Sequence, residues 1–190
     1  MTKSELRKSY LSKRQLLTPT ELELASSQIA ARFFEKFDLS NINVLHCFIS
    51  ISRFNEIDTR PIFQRIWAEF PHIQTVVPRI SRKTDELESL KYGPDVELVH
   101  NKWQIGEPTH NERVEPGDID IVLVPLLCVD MSGNRAGYGR GFYDRFLARC
   151  RTDCAKVGLS FFPPIEQIDD AHEGDIKLDR CITTERIYEF

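Results

Sequence analysis

Thirteen residues, Gly133-Asn134-Arg135-Ala136-Gly137-Tyr138-Gly139-Arg140-Gly141-Phe142-Tyr143-Asp144-Arg145, concentrate four glycines, three arginines, three aromatics and an aspartate. The run follows the apolar stretch Ile119 to Val129 and precedes a helical pattern ending near Cys150, so its context is strand, glycine-rich turn, helix. Glycines at 137, 139 and 141 free the backbone to adopt positive φ and to bring N–H groups close to a ligand. A helix that follows points its positive end at the same place. Such a turn suits an anion, a phosphate above all. Glycines alone would only permit the chain to turn; Arg135, Arg140 and Arg145 add charge that flexibility does not require. No Gly-Lys-Ser/Thr closes the loop and its spacing is Gly-x-Gly-x-Gly, which excludes a Walker A loop and the dinucleotide fingerprint.

The elements that must position this loop read as follows. Thr2-Lys3-Ser4-Glu5 is a capping box, and Leu6, Tyr10, Leu16 and Leu17 predict a first helix to about Leu17. On it Lys3, Arg7 and Arg14 fall within about 40° of one another at ~100° per residue. They form a basic stripe, which on its own reads as a solvated helix face. Thr18-Pro19 starts a second helix to about Phe37. Val44 to Ile51 is a buried strand that runs into Glu56, and Asp58 or Thr59 with Pro61 starts a third helix. Further strands are expected at Ile73 to Ile80, ending in Arg79, and around Glu88 to Tyr92. Residues 93–117 read as loop, with Trp103 as a packing anchor. Asp118 to Val129 is the central strand, Ala155 to Phe162 the next, and Cys181 to Thr184 a last short one, after an acidic loop from Ile168 to Asp179.

Strands alternating with helices predict a three-layer α/β/α fold with a mostly parallel sheet. Ligands of such sheets bind at the carboxyl ends of the strands, where Glu56, Arg79 and the 133–145 loop coincide. Asp144 and an acidic-loop residue, with Asp175 and Asp179 as the candidates, supply the hard oxygen ligands that Mg²⁺ prefers. Basic groups, backbone amides and paired carboxylates together make up an ATP site.

Composition sets the frame. At 190 residues, 41% apolar, the chain makes one domain. A formal charge of -4, from 25 basic and 29 acidic residues, argues against a general nucleic-acid binder. Cysteines at 47, 128, 150, 154 and 181 contain no Cys-x-x-Cys pair and fit buried thiols in a reducing cytosol. No stretch approaches 18 apolar residues and residues 1–30 have no signal-peptide core, so a soluble cytoplasmic protein with no membrane partner is expected.

The run Val124-Pro125 through Asp130, Gly133, Arg135 and Gly137 to Arg145 resembles the signature of the 5-formyltetrahydrofolate cyclo-ligase family, also called methenyltetrahydrofolate synthetases. Lys3-x-x-Leu6-Arg7 with Arg14, Glu56 to Thr59, Trp103 to Pro108, and Asp175 with Asp179, Thr184 and Glu185 fall in the same order as in that family. The resemblance implies a sheet similar to the sugar-phosphate isomerase and CoA-transferase folds. It also implies ATP- and Mg²⁺-dependent conversion of 5-formyltetrahydrofolate to 5,10-methenyltetrahydrofolate, with ADP and phosphate as products. In the family the formyl oxygen attacks the γ-phosphate, N10 closes on the activated carbon, and phosphate leaves.

By position, the resemblance assigns Lys3, Arg7, Arg135, Gly137, Tyr138, Gly139, Arg140, Gly141, Phe142 and Tyr143 to ATP. Arg7, Arg135, Arg140 and Tyr143 take part in catalysis, Arg7 lying near the folate as well. Ile51, Glu56, Trp103, Tyr138 and Phe142 bind the folate, and Asp144 and Asp175 hold Mg²⁺. The partners implied are a reduced folate and ATP, taken by a monomer. Two departures stand out: His172-Glu173-Gly174-Asp175 keeps only the aspartate of the usual Glu-x-His-Asp, and Phe142 replaces a usual tyrosine. A sugar-phosphate isomerase would need neither the basic stripe nor paired carboxylates, and a non-catalytic binding module would tolerate loss of Asp144 and Asp175.

Overall fold

The computed structural model describes residues 1–81, 83–101, 105–110 and 112–190. Trp103 lies outside the described residues. Helix α1 (Lys3–Gln15) and helix α2 (Pro19–Lys36) each begin with a complete capping box, Thr2 with Glu5 and Thr18 with Glu21, as the sequence pattern requires. Strand β1 (Val44–Cys47), helix α3 (Arg60–Glu69), β2 (Gln74–Ile80) and β3 (Leu87–Lys91) follow. Three short strands, β4 (Leu98–His100), β5 (Gly106–Pro108) and β6 (Arg113–Val114), lie in the segment expected to be loop. Next come β7 (Ile121–Pro125), β8 (Cys128–Val129), β9 (Arg135–Ala136), helix α4 (Phe142–Leu147), β10 (Ala155–Leu159), β11 (Arg180–Ile182) and β12 (Ile187–Glu189).

Eight strands form one sheet in the order β12-β11-β10-β7-β1-β2-β3-β6. The inner pairs β11·β10, β10·β7, β7·β1 and β1·β2 are parallel; the outer pairs β12·β11, β2·β3 and β3·β6 are antiparallel. The mostly parallel sheet is therefore present, with antiparallel edges. Period-2 alternation splits the core. Leu45, Cys47, Ile121, Leu123, Val157 and Leu159 pack with Ile29 and Phe33 of α2 and with Ile62 and Ile66 of α3. Val76, Val122, Val124 and Cys181 pack with Phe146 and Leu147 of α4 on the opposite face. The result is three layers.

One expectation is corrected. The apolar run to Val129 is not a single strand: β7 stops at Pro125, residues 126–127 turn, and β8 pairs antiparallel with β9. Proline has no N–H to continue a ladder, so it suits the last position of a central strand. The small β8–β9 hairpin lifts the glycine-rich loop off the sheet edge, and α1 packs on it through Leu6 and Tyr10 against Leu127, Cys128 and Ala136. Asp130 ties the turn together. Its Oδ1 accepts from the Ser132 and Asn134 N–H groups and its Oδ2 from Asn134 Nδ2 and the Ile168 N–H, all at 2.9–3.1 Å.

Candidate active site

At the carboxyl edge of the parallel strands the glycine-rich loop, α1, the segment after β1 and the acidic loop enclose one cavity of about 830 Å³. Lys3 and Arg7 enter it from α1, Ile51, Arg53 and Glu56 from the segment after β1, and Arg79 from the end of β2. Arg135 and every residue from Gly137 to Arg145 line it, with Asp170, His172 and Asp175 opposite. Of the described residues that sequence assigns to a site, all but one meet here. Asp179, one of the acidic-loop candidates, does not: it accepts from the Lys156 N–H at 2.7 Å, away from the cavity.

Within the loop the glycines have separate tasks. Gly139 has φ +91°, and a Cβ there would sit 3.0 Å from the Arg7 guanidinium carbon; Gly141 has φ +65° and starts α4. Both conformations favour glycine. A Cβ on Gly137 would meet nothing within 4 Å, so the missing side chain there leaves open space on the cavity side. Arg7 Nε donates to the Gly137 carbonyl at 2.9 Å and so anchors the loop to α1. Arg140 and Arg145 are exposed at the rim, Arg145 donating to the Arg140 carbonyl at 3.0 Å and lying over the Phe142 ring.

One end of the cavity is ionic. Asp175 is paired with the Lys3 ammonium and accepts from the His172 N–H at 2.8 Å, and the Lys3 N–H donates to Asp170 at 2.6 Å. Burial pushes the Asp175 carboxyl up, yet the Lys3 and His172 hydrogen bonds and the Lys3 charge outweigh it and hold the group below the usual carboxylate range. Arg135 is 8% exposed. It donates to Asp144 at 2.7 Å and to the Ile176 carbonyl, while the Ile176 N–H donates to Asp144 at 3.2 Å. A single guanidinium thus fastens the glycine-rich loop to the acidic loop and sets Asp144 beside the Asp175–Ile176 backbone. Among the described residues no three His, Cys, Asp or Glu groups cluster closely enough to make a protein-only metal cage. Two carboxylates of the type Mg²⁺ accepts, Asp144 and Asp175, nevertheless line the same cavity.

The other end is built from hydrogen bonds to one buried carboxylate. Glu56 is 8% exposed; its Oε1 accepts from the Tyr138 hydroxyl at 2.5 Å and its Oε2 from the Ile51 N–H at 2.8 Å. Burial pushes its carboxyl above the ordinary range, and those two hydrogen bonds with the charge of Arg14 oppose the shift without cancelling it. Tyr138 stacks on Phe54 with ring centroids 5.1 Å apart. Burial and the neighbouring Glu56 charge raise its phenol well above the ordinary value. Between the two ends, Tyr143 turns its hydroxyl toward His46 Nε2 at 3.4 Å, and His46 Nδ1 meets Ser89 at 2.9 Å. Burial lowers His46 to about 3, so it is a neutral prop for the Tyr143 phenol. Sequence reasoning missed His46, since a lone histidine in an apolar strand gives no signal of its own.

The basic stripe of α1 is likewise resolved. Lys3 and Arg7 reach the cavity, whereas Arg14 is 3% exposed and turns inward to the Tyr138 hydroxyl at 3.0 Å and the Leu126 carbonyl. A solvated helix face would bury none of them.

A parallel sheet carrying a glycine-rich loop, basic groups and carboxylates around one cavity at its carboxyl edge defines an α/β enzyme of small-molecule substrates. The family model described as the 5-formyltetrahydrofolate cyclo-ligase family matches residues 1–170, and the chain belongs to that family. The 5-formyltetrahydrofolate cyclo-ligase of Escherichia coli K12 is 28% identical over 181 residues, covering 94% of this chain and 98% of that protein. The Haemophilus influenzae 5-formyltetrahydrofolate cyclo-ligase is 31% identical over 144 residues, 74% of each chain. The solved structure of Aquifex aeolicus 5,10-methenyltetrahydrofolate synthetase matches with a TM-score of 0.84 at 28% identity, covering 100% of this chain and 93% of that one.

Proposed function

We propose that this protein cyclises 5-formyltetrahydrofolate to 5,10-methenyltetrahydrofolate in an ATP- and Mg²⁺-dependent reaction that releases ADP and phosphate. The observation that carries the proposal is the two-ended cavity, with a buried acceptor, Glu56, at one end and an ionic loop system at the other. A pterin presents paired N–H donors, which a carboxylate accepts; Ile51, Tyr138 and Phe142 provide the apolar and stacking surfaces around it. Trp103 is assigned to the same surface by resemblance. Lys3, Arg7, Arg140 and the loop N–H groups suit a triphosphate.

Asp144 and Asp175 fit Mg²⁺ by donor type and number, and the ion would neutralise charge on the triphosphate. Arg135 keeps both carboxylates in place by joining their loops. The chemical task is to make a formyl oxygen into a leaving group. Transfer of the γ-phosphoryl group to that oxygen achieves it, after which N10 attacks the carbon and phosphate departs. The side chains contribute positioning and charge neutralisation, Arg7 and Tyr143 of the cavity lining among them.

Five free thiols support a reducing, cytoplasmic setting. Among the described residues no helix is long and apolar enough to cross a membrane. The test is absorbance in the methenyl-folate band on mixing protein with 5-formyltetrahydrofolate and MgATP. A rise that requires protein, folate and MgATP together is expected; a rise without nucleotide, or none with all three, would overturn the proposal.

A further inference from the structure

Arg14 takes no part in the assignments above, yet it is among the most deeply buried cations of the protein, at 3% exposure. It does not line the cavity. The carboxylate it reaches is Glu56, through the Tyr138 hydroxyl: Arg14 Nη1 to Tyr138 at 3.0 Å, Tyr138 to Glu56 Oε1 at 2.5 Å. The guanidinium itself is held in place by the Leu126 carbonyl, and the Arg14 carbonyl accepts from Asn55 Nδ2 at 2.9 Å, one residue before Glu56.

We propose that Arg14 is a positioning residue that fixes the direction of the Tyr138–Glu56 hydrogen bond and thereby presents Glu56 to the folate as an acceptor. The inference rests on Glu56 being the folate-binding carboxylate. Its logic is a proton count. A guanidinium can donate but cannot accept, so the Tyr138 oxygen accepts from Arg14 and its single proton is committed to Glu56 Oε1. Glu56 Oε2 is already an acceptor for the Ile51 N–H. With both oxygens accepting, neither hydrogen bond asks the carboxyl for a proton of its own, and its remaining lone pairs are offered to ligand N–H groups on the cavity side. Without Arg14 the phenol is free to reverse, and a protonated Glu56 could donate to it.

The charged and titratable groups around Glu56 are Arg14 from α1 and Tyr138 and Tyr143 from the loop and α4. Of these, Arg14 is the one that favours the ionised form by its charge. Burial works the other way, so removing the guanidinium lets the carboxyl take up its proton at a higher pH.

The experiment measures KM for 5-formyltetrahydrofolate and for ATP across pH in wild type, Arg14→Met, Arg14→Lys, Tyr138→Phe, the Arg14→Met/Tyr138→Phe double variant and Glu56→Gln, with thermal melts of each. Arg14→Met is expected to raise the folate KM about tenfold at neutral pH, the scale of one charge-assisted hydrogen bond. The increase should fade as pH rises, the ATP KM should hold, and Arg14→Lys should restore most of the loss. The double variant should be no worse than the poorer single one, because both break the same relay.

A pH-independent rise shared equally by folate and ATP, or additive losses in the double variant, would mark Arg14 as merely structural and overturn the proposal. Should Arg14→Met not fold, Tyr138→Phe decides: an unchanged folate pH profile sinks the relay. An unaltered folate KM in Glu56→Gln would instead remove the underlying folate assignment, and the relay with it. Loss in Glu56→Gln but not in Arg14→Met or Tyr138→Phe overturns the relay alone.

Discussion

Glu56 and Asp175 are two largely buried carboxylates in one cavity, and their surroundings push them in opposite directions. Asp175 has an ammonium directly against it, and its pKa is lowered; Glu56 has a phenol and a backbone N–H, with its cation one group further away, and its pKa is raised. The difference is what the proposed function asks of a single cavity that takes two ligands. Under the proposed function, direct ion pairing at the Asp175 end would maintain charge for a polyanion and a metal, while neutral donors at the Glu56 end would leave acceptor capacity for uncharged N–H groups. Each end can therefore be disabled without disabling the other.

The largest effect is expected from the ionic end. Asp144→Asn removes the carboxylate proposed for Mg²⁺ and weakens the Arg135 clamp, and turnover with MgATP should fall by about a hundredfold or more, beyond the loss usual for outer partners of a metal. Rate measurements with the melting temperature near wild type check it; wild-type turnover contradicts the metal assignment.

At the other end, Glu56→Gln should raise the folate KM about tenfold or more with the ATP KM nearly unchanged. The same change should stabilise the protein. Because the folded pKa of Glu56 is raised, the folded state binds a proton that the unfolded state has released between the ordinary carboxylate range and the raised value. Wild-type stability therefore falls as pH rises through that window, and the glutamine variant escapes the cost. Asp175 has the opposite sign. Its folded pKa is lowered, so its contribution is present above the unfolded value and disappears as pH falls through the folded one. Thermal melts of wild type beside Glu56→Gln and Asp175→Asn, from acid to neutral pH, should show the two slopes as differences from wild type.

Lys3→Met comes next. It removes a cation from the phosphate end and should raise the ATP KM about tenfold while sparing the folate KM. A matching loss for folate would place Lys3 between the two substrates. Smallest is Gly139→Ala, which forces an alanine to φ +91° and sets its Cβ 3.0 Å from the Arg7 guanidinium. A stability loss of about 1 kcal/mol is expected from the strained φ, together with a modest rise in the ATP KM as Arg7 is displaced. Denaturant titration and steady-state kinetics would reveal either.

The ionic end was the more legible in sequence. Four glycines and three arginines in thirteen residues suit a phosphate and single out the loop that lines the cavity, and the capping boxes of α1 and α2 declare their helices. The Glu56 end was legible only through the family resemblance, because a single glutamate after a strand has no spacing signal. Arg14 shows the limit of helical periodicity: it shares a stripe with Lys3 and Arg7, but seven residues beyond Arg7 along the axis, at ~1.5 Å per residue, it lies over the sheet edge rather than the cavity. Arg135 suits a phosphate by type, while its burial and its bond to the Ile176 carbonyl depend on a loop more than 30 residues later in the chain, which no local pattern encodes. The segment 93–117 hid β4 to β6 because strands of two or three residues carry too few side chains to show alternation.

The most direct test of the two-ended cavity is amide NMR of the labelled protein titrated with MgATP alone and with 5-formyltetrahydrofolate alone. MgATP should move the amides of Lys3, Gly137, Gly139 and Gly141 together with Ile176, whereas the folate should move Ile51, whose N–H is held by Glu56. Coincident shifts from both ligands at one end, or no response of the Ile51 amide to the folate, would contradict the account.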